Sequence, residues 1–275
     1  MLRKKKASNE LKYFCSSKKY YAIKMTFLDV FRSVKFIQFQ GDSSYLKYMR
    51  TLPYHTKQID LKPSSDAVKA SFSKRVRAKI NKATREEVRC SLYDLNSAES
   101  LEFYVDYCNR HIISKNLLYR LSKKDVDSFP KHYKVTQATY NGEILVMHGY
   151  FIDSKSKRVY IHESVSQFRT IDASSSQVDR DFISRANCLL HYEDMCYFKK
   201  QGIELYDFGG YGVDTEDQSI LNINRFKDGF RGKLVQENHY ESYMFFMINS
   251  FYHQIKPCVM RMRMKKIWRF VHSFK

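Results

Sequence analysis

Proline, glycine and long apolar runs are all scarce in this sequence. Only four prolines and nine glycines occur in 275 residues, so we expect helices and strands to dominate. No segment approaches the roughly 18 consecutive apolar residues that a membrane-spanning helix needs. The basic N-terminus contains no apolar core of the kind that secretory signal peptides carry. With 43% hydrophobic and 15% aromatic residues, the chain is expected to fold rather than remain disordered.

Cysteine is also sparse, and its spacing excludes the common metal and disulfide frameworks. The six cysteines include no CxxC pair, which predicts reduced thiols in a cytoplasmic protein. Cys188, His191 and Cys196 fall in one predicted helix at a spacing that puts them on different faces, so they cannot form a ligand set. We therefore predict no metal site. No tightly bound cofactor is expected.

Acidic residues are few relative to basic ones. The chain has 48 Lys and Arg against 29 Asp and Glu, a formal net charge of +19. Such a surplus attracts polyanions, which include nucleic acids, anionic lipid surfaces and phosphorylated substrates. A basic protein that is merely soluble is the alternative, because net charge bears on association and not on fold.

The first part of the chain contains a basic arm, short strands and two capped helices. Residues 1–24 carry eight basic residues and one Glu. Short strands are expected within 34–62. Ser64 or Ser65 can cap a first short helix and Ser73 a second. In the second helix Val76, Ile80 and Ala83 form one apolar stripe, and the remaining positions are largely basic.

The rest of the chain changes period from helix to strand and back. A helix is expected over 97–121. Residues 135–166 alternate as three strands, with Asn141-Gly142 as the first hairpin turn. A long helix at about 178–200 ends at Gly202 and is followed by the buried strand IELYDFGG. Strands are expected in 232–246 and a basic helix over 257–271. This order predicts an α+β or mixed α/β protein.

Three segments together resemble the FemABX family of acyl and aminoacyl transferases. The first is the basic helix, similar to the family's "fSkk.R..IrkA" pattern; the second is the strand that ends in YDFGG; the third is FKDGFRGK, similar to "FK.gFgg". The matching positions are Phe72, Ser73, Lys74, Arg77, Ile80, Lys82, Ala83, Gly202, Tyr206, Asp207, Phe208, Gly209, Gly210, Phe226, Lys227, Gly229, Phe230 and Gly232.

The resemblance implies a GNAT-like acyltransferase fold, that is, a mixed and mostly antiparallel sheet flanked by helices. It implies three segments: a reduced N-terminal GNAT-like half in 1–90, the acyltransferase domain in 91–255, and a basic C-terminal helix in 256–275. It also implies transfer of an acyl or aminoacyl group to an amine or hydroxyl of an envelope precursor. An amino sugar of a surface polysaccharide is the preferred acceptor, since peptidoglycan enzymes of the family are longer. A peptidoglycan-bridge enzyme and a non-catalytic binder of nucleic acid or membrane are the alternatives.

The glycine-rich segments hold the candidate catalytic residues. Asp207 lies inside an apolar strand, so it needs a partner such as Arg or backbone N–H groups; it either orients substrate and accepts a proton, or fixes the turn. Lys227 can stabilise an oxyanion or bind a phosphate, unless it is a surface lysine of a hairpin turn. Substrate contacts are expected from neighbouring residues of both motifs, namely Tyr206, Gly209, Gly210, Tyr211, Phe226 and Phe230.

Other candidates lie outside these motifs. His162 can serve as a base near neutral pH, although a half-buried structural histidine is the simpler reading. Lys74 and Arg77 are candidates for phosphate contacts. Arg169 flanks the loop in which acetyltransferases carry a pyrophosphate-binding turn, and that turn is missing here. The donor is therefore either aminoacyl-tRNA or acyl-CoA, with the tRNA mildly favoured. The acceptor is expected to be anionic, a nucleotide sugar or lipid-linked precursor. The C-terminal helix is a candidate for peripheral membrane contact.

Overall fold

The computed structural model describes residues 44–115, 120–123, 126, 133–154, 156–166, 177–248 and 250, together with the backbone of three short N-terminal strands. Contacts group the chain into two compact units. The larger is Tyr54–Glu237, and the smaller combines Met1–Pro53 with Asn238–Lys275. Among the described residues, no helix has the length and hydropathy needed to cross a membrane.

The regular elements in this described part of the chain are strands and α-helices, with one short 3-10 helix at Leu46–Tyr48. The strands are β1 (Lys6–Ala7), β2 (Lys18–Tyr20), β3 (Val34–Phe36), β4 (Arg50–Asp60), β5 (Arg89–Tyr93), β6 (Lys134–Tyr140), β7 (Glu143–Asp153), β8 (Arg158–Ser166), β9 (Leu205–Gly210) and β10 (Lys233–Glu241). The helices are α1 (Ser65–Ser71), α2 (Lys74–Arg85), α3 (Ala98–Ser114), α4 (Gln177–Lys200) and α5 (Gln218–Asp228).

The larger unit is built on a mixed, mostly antiparallel sheet. Its strand order is β10-β4-β9-β8-β7-β6-β5. The pairs β4–β9, β5–β6, β6–β7 and β7–β8 are antiparallel, and β8–β9 is parallel. A parallel pair needs a crossover, which α4 supplies between β8 and β9. The predicted mixed α/β class, with a mostly antiparallel sheet and flanking helices, is confirmed.

The three-stranded meander over 134–166 is also confirmed. Tyr140 pairs with Glu143 across the first turn, and the two residues between them have positive φ, 50° at Asn141 and 83° at Gly142. A type I′ turn requires positive φ at both central positions, which asparagine and glycine tolerate best. The dipeptide therefore fixes the register of β6 against β7.

The predicted helix caps and the apolar stripe are present. The Ser64 hydroxyl accepts a hydrogen bond from the Ala67 amide at 3.2 Å, and the Ser73 hydroxyl accepts one from the Val76 amide at 3.3 Å. Val76 and Ile80, with Ala83, are the buried residues of α2. This stripe belongs to the same core as the inner face of α4, so the basic positions of α2 are left outside.

Two helices differ from the sequence-based prediction. Helix α3 ends at Ser114, where the Lys115 amide donates back to the His111 carbonyl at 3.2 Å, rather than at 121. Helix α5 was not predicted at all. Its N-cap is Asp217, whose carboxylate accepts from the Ser219 amide at 2.8 Å, and its buried positions include Asn224 and Lys227. Polar residues on the buried side remove the apolar period that would reveal a helix.

The smaller unit contains β1–β3 and the end of β10. Strand β2 pairs in parallel with β3, and β3 pairs antiparallel with β10 at Phe36–Tyr240. Beyond β10 the predicted strand stops, because the Ser242 hydroxyl accepts from the Phe245 amide at 3.0 Å and starts a helical turn. The three-segment division stays a prediction, and its last segment, 256–275, lies outside the described residues.

Candidate functional site

The parallel strands β8 and β9 separate partway along their length. Their pairing covers Arg158 to Tyr160 on β8 and Leu205 to Asp207 on β9. Past these residues β8 continues alongside β7 as far as Ser166, while β9 stays with β4 up to Gly210. The sheet therefore opens between the carboxyl ends of two parallel strands, which is where ligand crevices form in α/β proteins.

The glycine turn at the end of β9 forms one edge of this opening. Gly209 has φ +70°, and its amide donates a 2.6 Å hydrogen bond back to the Asp207 carboxylate. The Thr56 hydroxyl oxygen lies 3.0 Å from the Gly209 carbonyl oxygen, and the Tyr211 amide donates to the His55 carbonyl at 2.7 Å. The turn is thus fixed by contacts on both sides.

Asp207 is completely buried. It is the centre of a set of hydrogen-bonded polar side chains that crosses the sheet, which we call the polar ladder. It accepts hydrogen bonds from the Arg158 guanidinium and the Thr56 hydroxyl, as well as from the Gly209 amide. The predicted need for an arginine or backbone N–H partner is met by both. Because these partners come from β8, β4 and β9, the carboxylate ties the turn to three strands.

The ladder extends to Glu237 on β10. Arg158 donates to both carboxylate oxygens of Glu237, at 2.6 and 2.9 Å. The side-chain amide of Gln58 donates to the same carboxylate at 2.9 Å. Tyr160 lies under the guanidinium, with its ring centroid 4.3 Å away. A buried arginine is tolerated when its charge is paired in this bidentate way.

Lys227 points into the same region from α5. It is 9% exposed, and its Nζ donates to the carbonyl oxygens of Gly210 at 2.5 Å and Gly209 at 3.3 Å. Burial lowers the pKa of its ammonium to about 8, an effect that the negative charge of Asp207 opposes. The alternative of an exposed hairpin lysine is therefore wrong. Within the described part of the chain, two of its three N–H donors are used.

An aromatic cluster packs at the C-terminal end of α5. Phe230 packs against Phe72 and Phe208, with ring centroids 5.1 and 4.9 Å apart, and Phe226 packs against Phe230 at 5.4 Å. Tyr206 and Phe230 are completely buried, so the structure gives them packing positions in the core. A direct substrate contact of these two residues stays a prediction. Phe226 is half-buried beside Lys227.

A buried polar network between α4 and the sheet was missed by the sequence analysis. The His148 ring contacts Asp194 through Nδ1 and Asn187 through Nε2, both at 2.8 Å. The Tyr150 hydroxyl donates to Asp194 at 2.6 Å. A readable signal did exist, since Asn187, His191 and Asp194 recur at helical spacing on the inner side of α4.

This network ends at His191, beside the aromatic cluster. Because the Tyr150 proton goes to Asp194, the Tyr206 hydroxyl must donate to Tyr150 at 2.7 Å, and Nδ1 of His191 must donate to Tyr206 at 2.7 Å. Burial is the largest effect that holds the pKa of His191 well below its usual range, and the nearby charges of His148 and Lys227 lower it further. His191 is therefore neutral and its tautomer is set.

The remaining predicted residues lie elsewhere. His162 is on the β8 side of the opening, and its contacts include the Tyr133 hydroxyl at 3.2 Å and the Phe151 ring at 4.5 Å. Arg77 donates to the Ala70 carbonyl at 2.9 Å and to the Phe72 carbonyl, at the end of α1. Their catalytic or phosphate-binding roles stay predictions.

Three further candidates complete the set. Lys74 is exposed at the first position of α2, and Arg169 lies outside the described residues. The Tyr211 hydroxyl donates to Asp228 at 2.9 Å, and Lys57 donates to the same carboxylate at 2.7 Å. The structure thus brings together Asp207, Gly209, Gly210 and Lys227, and it places the other candidates around or away from them.

Comparisons with known proteins bear on the fold. No profile of a known protein family matches the chain, and neither does any curated protein. Among solved structures, FemX matches with a TM-score of 0.53 and 14% identity over 73% of this chain and 63% of FemX. The C-terminal domain of a protein described as a lysylphosphatidylglycerol synthetase, from Agrobacterium fabrum, matches with a TM-score of 0.50 and 12% identity over 79% of this chain and 72% of that domain.

The fold is FemX-like. This likeness confirms the GNAT-like, FemABX-like fold that the sequence motifs predict. At identities of 12–14% the likeness concerns the arrangement of strands and helices alone. The chain spans 63% of the length of FemX, so activity, substrates and partners are matters for proposal.

Proposed function

We propose that this chain is an acyltransferase that moves an acyl or aminoacyl group from an activated donor onto an amine, or a hydroxyl, of a bacterial cell-envelope precursor. The observation that carries the proposal is the position of Lys227. A buried ammonium is held on two glycine carbonyls at the end of a parallel strand pair. The FemX-like fold supports the same class of reaction.

Acyl transfer by direct attack needs this kind of donor. The lone pair of the acceptor nitrogen forms a bond to the carbonyl carbon, the carbonyl oxygen becomes an oxyanion, and the bond to the donor's oxygen or sulfur then breaks. The acceptor's proton leaves to the departing group or to solvent. A well-placed donor to the oxyanion is worth roughly 3–4 kcal/mol. In the proposed mechanism Lys227 is that donor, and Asp207 with Arg158 positions the turn that holds it.

Two buried cysteines, Cys108 and Cys188, are poor candidates for a covalent enzyme intermediate. Burial raises the pKa of the Cys188 thiol to about 11 and raises the pKa of Cys108 still further. A thiolate, not a thiol, is the nucleophile in cysteine catalysis, so these groups are inert at neutral pH. Direct attack by the acceptor is therefore the proposed route.

The net charge of +19 supports a polyanionic donor or a phosphorylated acceptor. Our preferred acceptor is the amine of a surface-polysaccharide sugar carried on a nucleotide or lipid, in the cytoplasm. An aminoacyl-tRNA-dependent enzyme of peptidoglycan bridges is the second candidate, and the charge favours it equally. A non-catalytic binder of nucleic acid or anionic membrane is the third.

The test is transfer from two donor classes, charged tRNA and acyl-CoA, to an amino-sugar nucleotide and to a peptidoglycan precursor. Wild type is compared with Lys227→Ala and with Lys233→Ala, an exposed lysine on β10 that serves as the matched control. Transfer that is lost in the first variant and kept in the second supports catalysis at Lys227. Equal transfer by both variants contradicts it. No transfer from either donor by wild type, with salt-sensitive RNA or lipid binding, favours the third candidate.

A further inference from the structure

The smaller unit carries an apolar surface directly after β10. Ser242 begins a helical turn, in which its carbonyl accepts from the Phe246 amide at 3.0 Å. Four of the next five side chains are large, apolar and 39–57% exposed: Tyr243, Met244, Phe246 and Met247. Isolated exposed apolar residues are ordinary, whereas such a run on one turn indicates a surface with a partner.

The arrangement of this turn is the reverse of a normal surface helix. At 3.6 residues per turn, the four exposed side chains spread over an arc of about 160°. Phe245 points the opposite way and is 3% exposed. Phe245 therefore anchors the turn to the unit, and the broad apolar arc faces outward. We call Tyr243, Met244, Phe246 and Met247 the outward apolar face.

An arginine lies at this face. The Arg50 guanidinium lies 3.5 Å from the centroid of the Phe246 ring and also pairs with Glu241 at 2.8 Å. The chain as a whole has a net charge of +19. Aromatic and Met side chains bordered by Arg and Lys are typical of protein surfaces that enter the interface of an anionic bilayer.

We propose that the outward apolar face docks the protein on an anionic lipid bilayer, with its four side chains inserted at the level of the headgroups. The charge surplus decides between occupants, since a neutral apolar partner protein would leave it uncompensated, while anionic lipid satisfies both the apolar arc and the cations. This inference goes beyond the acyl-transfer proposal and does not depend on it. It also differs from the predicted contact through the C-terminal helix, which lies outside the described residues.

The test is binding of the full chain to vesicles of phosphatidylglycerol and phosphatidylcholine in equal parts, and to pure phosphatidylcholine, at about 0.1 M salt. The variant Tyr243→Ser with Met247→Ser removes half of the face. The matched control is Phe103→Ser with Ile113→Ser, two residues of α3 that are 40% and 52% exposed in the larger unit. We expect the first variant to bind the anionic vesicles at least tenfold more weakly than wild type, and the control to bind as wild type.

Insertion is checked separately with Tyr243→Trp. Its fluorescence, after subtraction of the wild-type signal from the single native Trp, should be quenched by brominated phosphatidylglycerol, and that of Phe103→Trp should not. The proposal is overturned if the serine variant binds as wild type, or if position 243 stays unquenched. It is also overturned if binding to pure phosphatidylcholine is equal, or if the face instead mediates a lipid-independent dimer that the serine variant abolishes. Thermal unfolding of each variant verifies that the fold is intact.

Discussion

The Nζ atom of Lys227 donates a 2.5 Å hydrogen bond to the carbonyl oxygen of Gly210. This contact joins the two motifs of the sequence, YDFGG and FKDGF, which are distant along the chain. It also explains why a lysine is tolerated in a buried position, because the backbone carbonyls replace the water that its ammonium loses. The site is therefore a single unit of turn and lysine, and the predictions below address its parts.

Replacement of Lys227 by Met keeps the aliphatic stem and removes the ammonium. If the ammonium stabilises the oxyanion, kcat should fall by about 10²–10³-fold, the range found when one oxyanion donor is removed. Donor binding, measured by titration calorimetry, should change little, since the donor's contacts elsewhere are kept. A loss of less than threefold in kcat, or a loss that appears in binding alone, would contradict the assigned role.

The pH dependence of transfer should report the pKa of Lys227. Burial lowers this pKa to about 8, and the protonated form is the hydrogen-bond donor. Its population falls as the pH rises through about 8, so kcat should decline on the alkaline side of that value. Measurement of kcat from pH 6.5 to 10 checks this. A rate that rises through pH 8 would instead assign Lys227 as a base.

Asp207→Asn offers a second test of the same titration. The negative charge of Asp207 raises the pKa of Lys227 and partly offsets burial. Without that charge, the pKa should fall further and the alkaline decline of kcat should move to lower pH. Glu204→Gln gives the comparison, because it removes a carboxylate of the exposed pair of Lys157 and Glu204, outside the ladder. An unchanged profile in Asp207→Asn would separate Asp207 from the electrostatics of the lysine.

The sequence predicts the turns and helix caps around this site better than the contacts between its buried polar side chains. The Asn141-Gly142 turn and the Ser73 cap are local signals, and each forms as expected. The pairing of Arg158 with Asp207 has no local signal, since the two residues are 49 positions apart and become neighbours only through the parallel pairing of β8 and β9. Helix α5 escaped prediction because Lys227 occupies a buried position where an apolar residue would mark the period.

The ion pairs of Arg158 and of its neighbour Lys157 should differ sharply in their effect on stability. Arg158→Met would leave Asp207 and Glu237 without their shared cation in a buried place, which costs about 3–5 kcal/mol of unfolding free energy. Lys157 pairs with Glu204 at 2.5 Å, but both side chains are exposed, so Lys157→Met should leave the denaturation midpoint unchanged. Urea unfolding followed by circular dichroism measures both. Equal midpoints for the two variants would show that the ladder does not stabilise the fold.

Removal of one hydroxyl from the buried network of Tyr150, Asp194 and His191 should also lower the stability of the fold. Tyr150→Phe removes the hydroxyl that donates to Asp194 and accepts from Tyr206, and it leaves both groups short of a partner in the core. Unsatisfied buried polar groups cost about 1–3 kcal/mol, so the unfolding free energy should fall by that amount. Tyr140→Phe, at an exposed position of the same meander, is the matched control and should be neutral.

The Tyr150→Phe variant should also change the tautomer of His191. Without the Tyr150 hydroxyl, Tyr206 can donate its proton to His191 instead, which should shift His191 to its Nε2–H tautomer. Nitrogen NMR can detect this shift. Retention of the Nδ1–H tautomer would contradict the proton order deduced for the network.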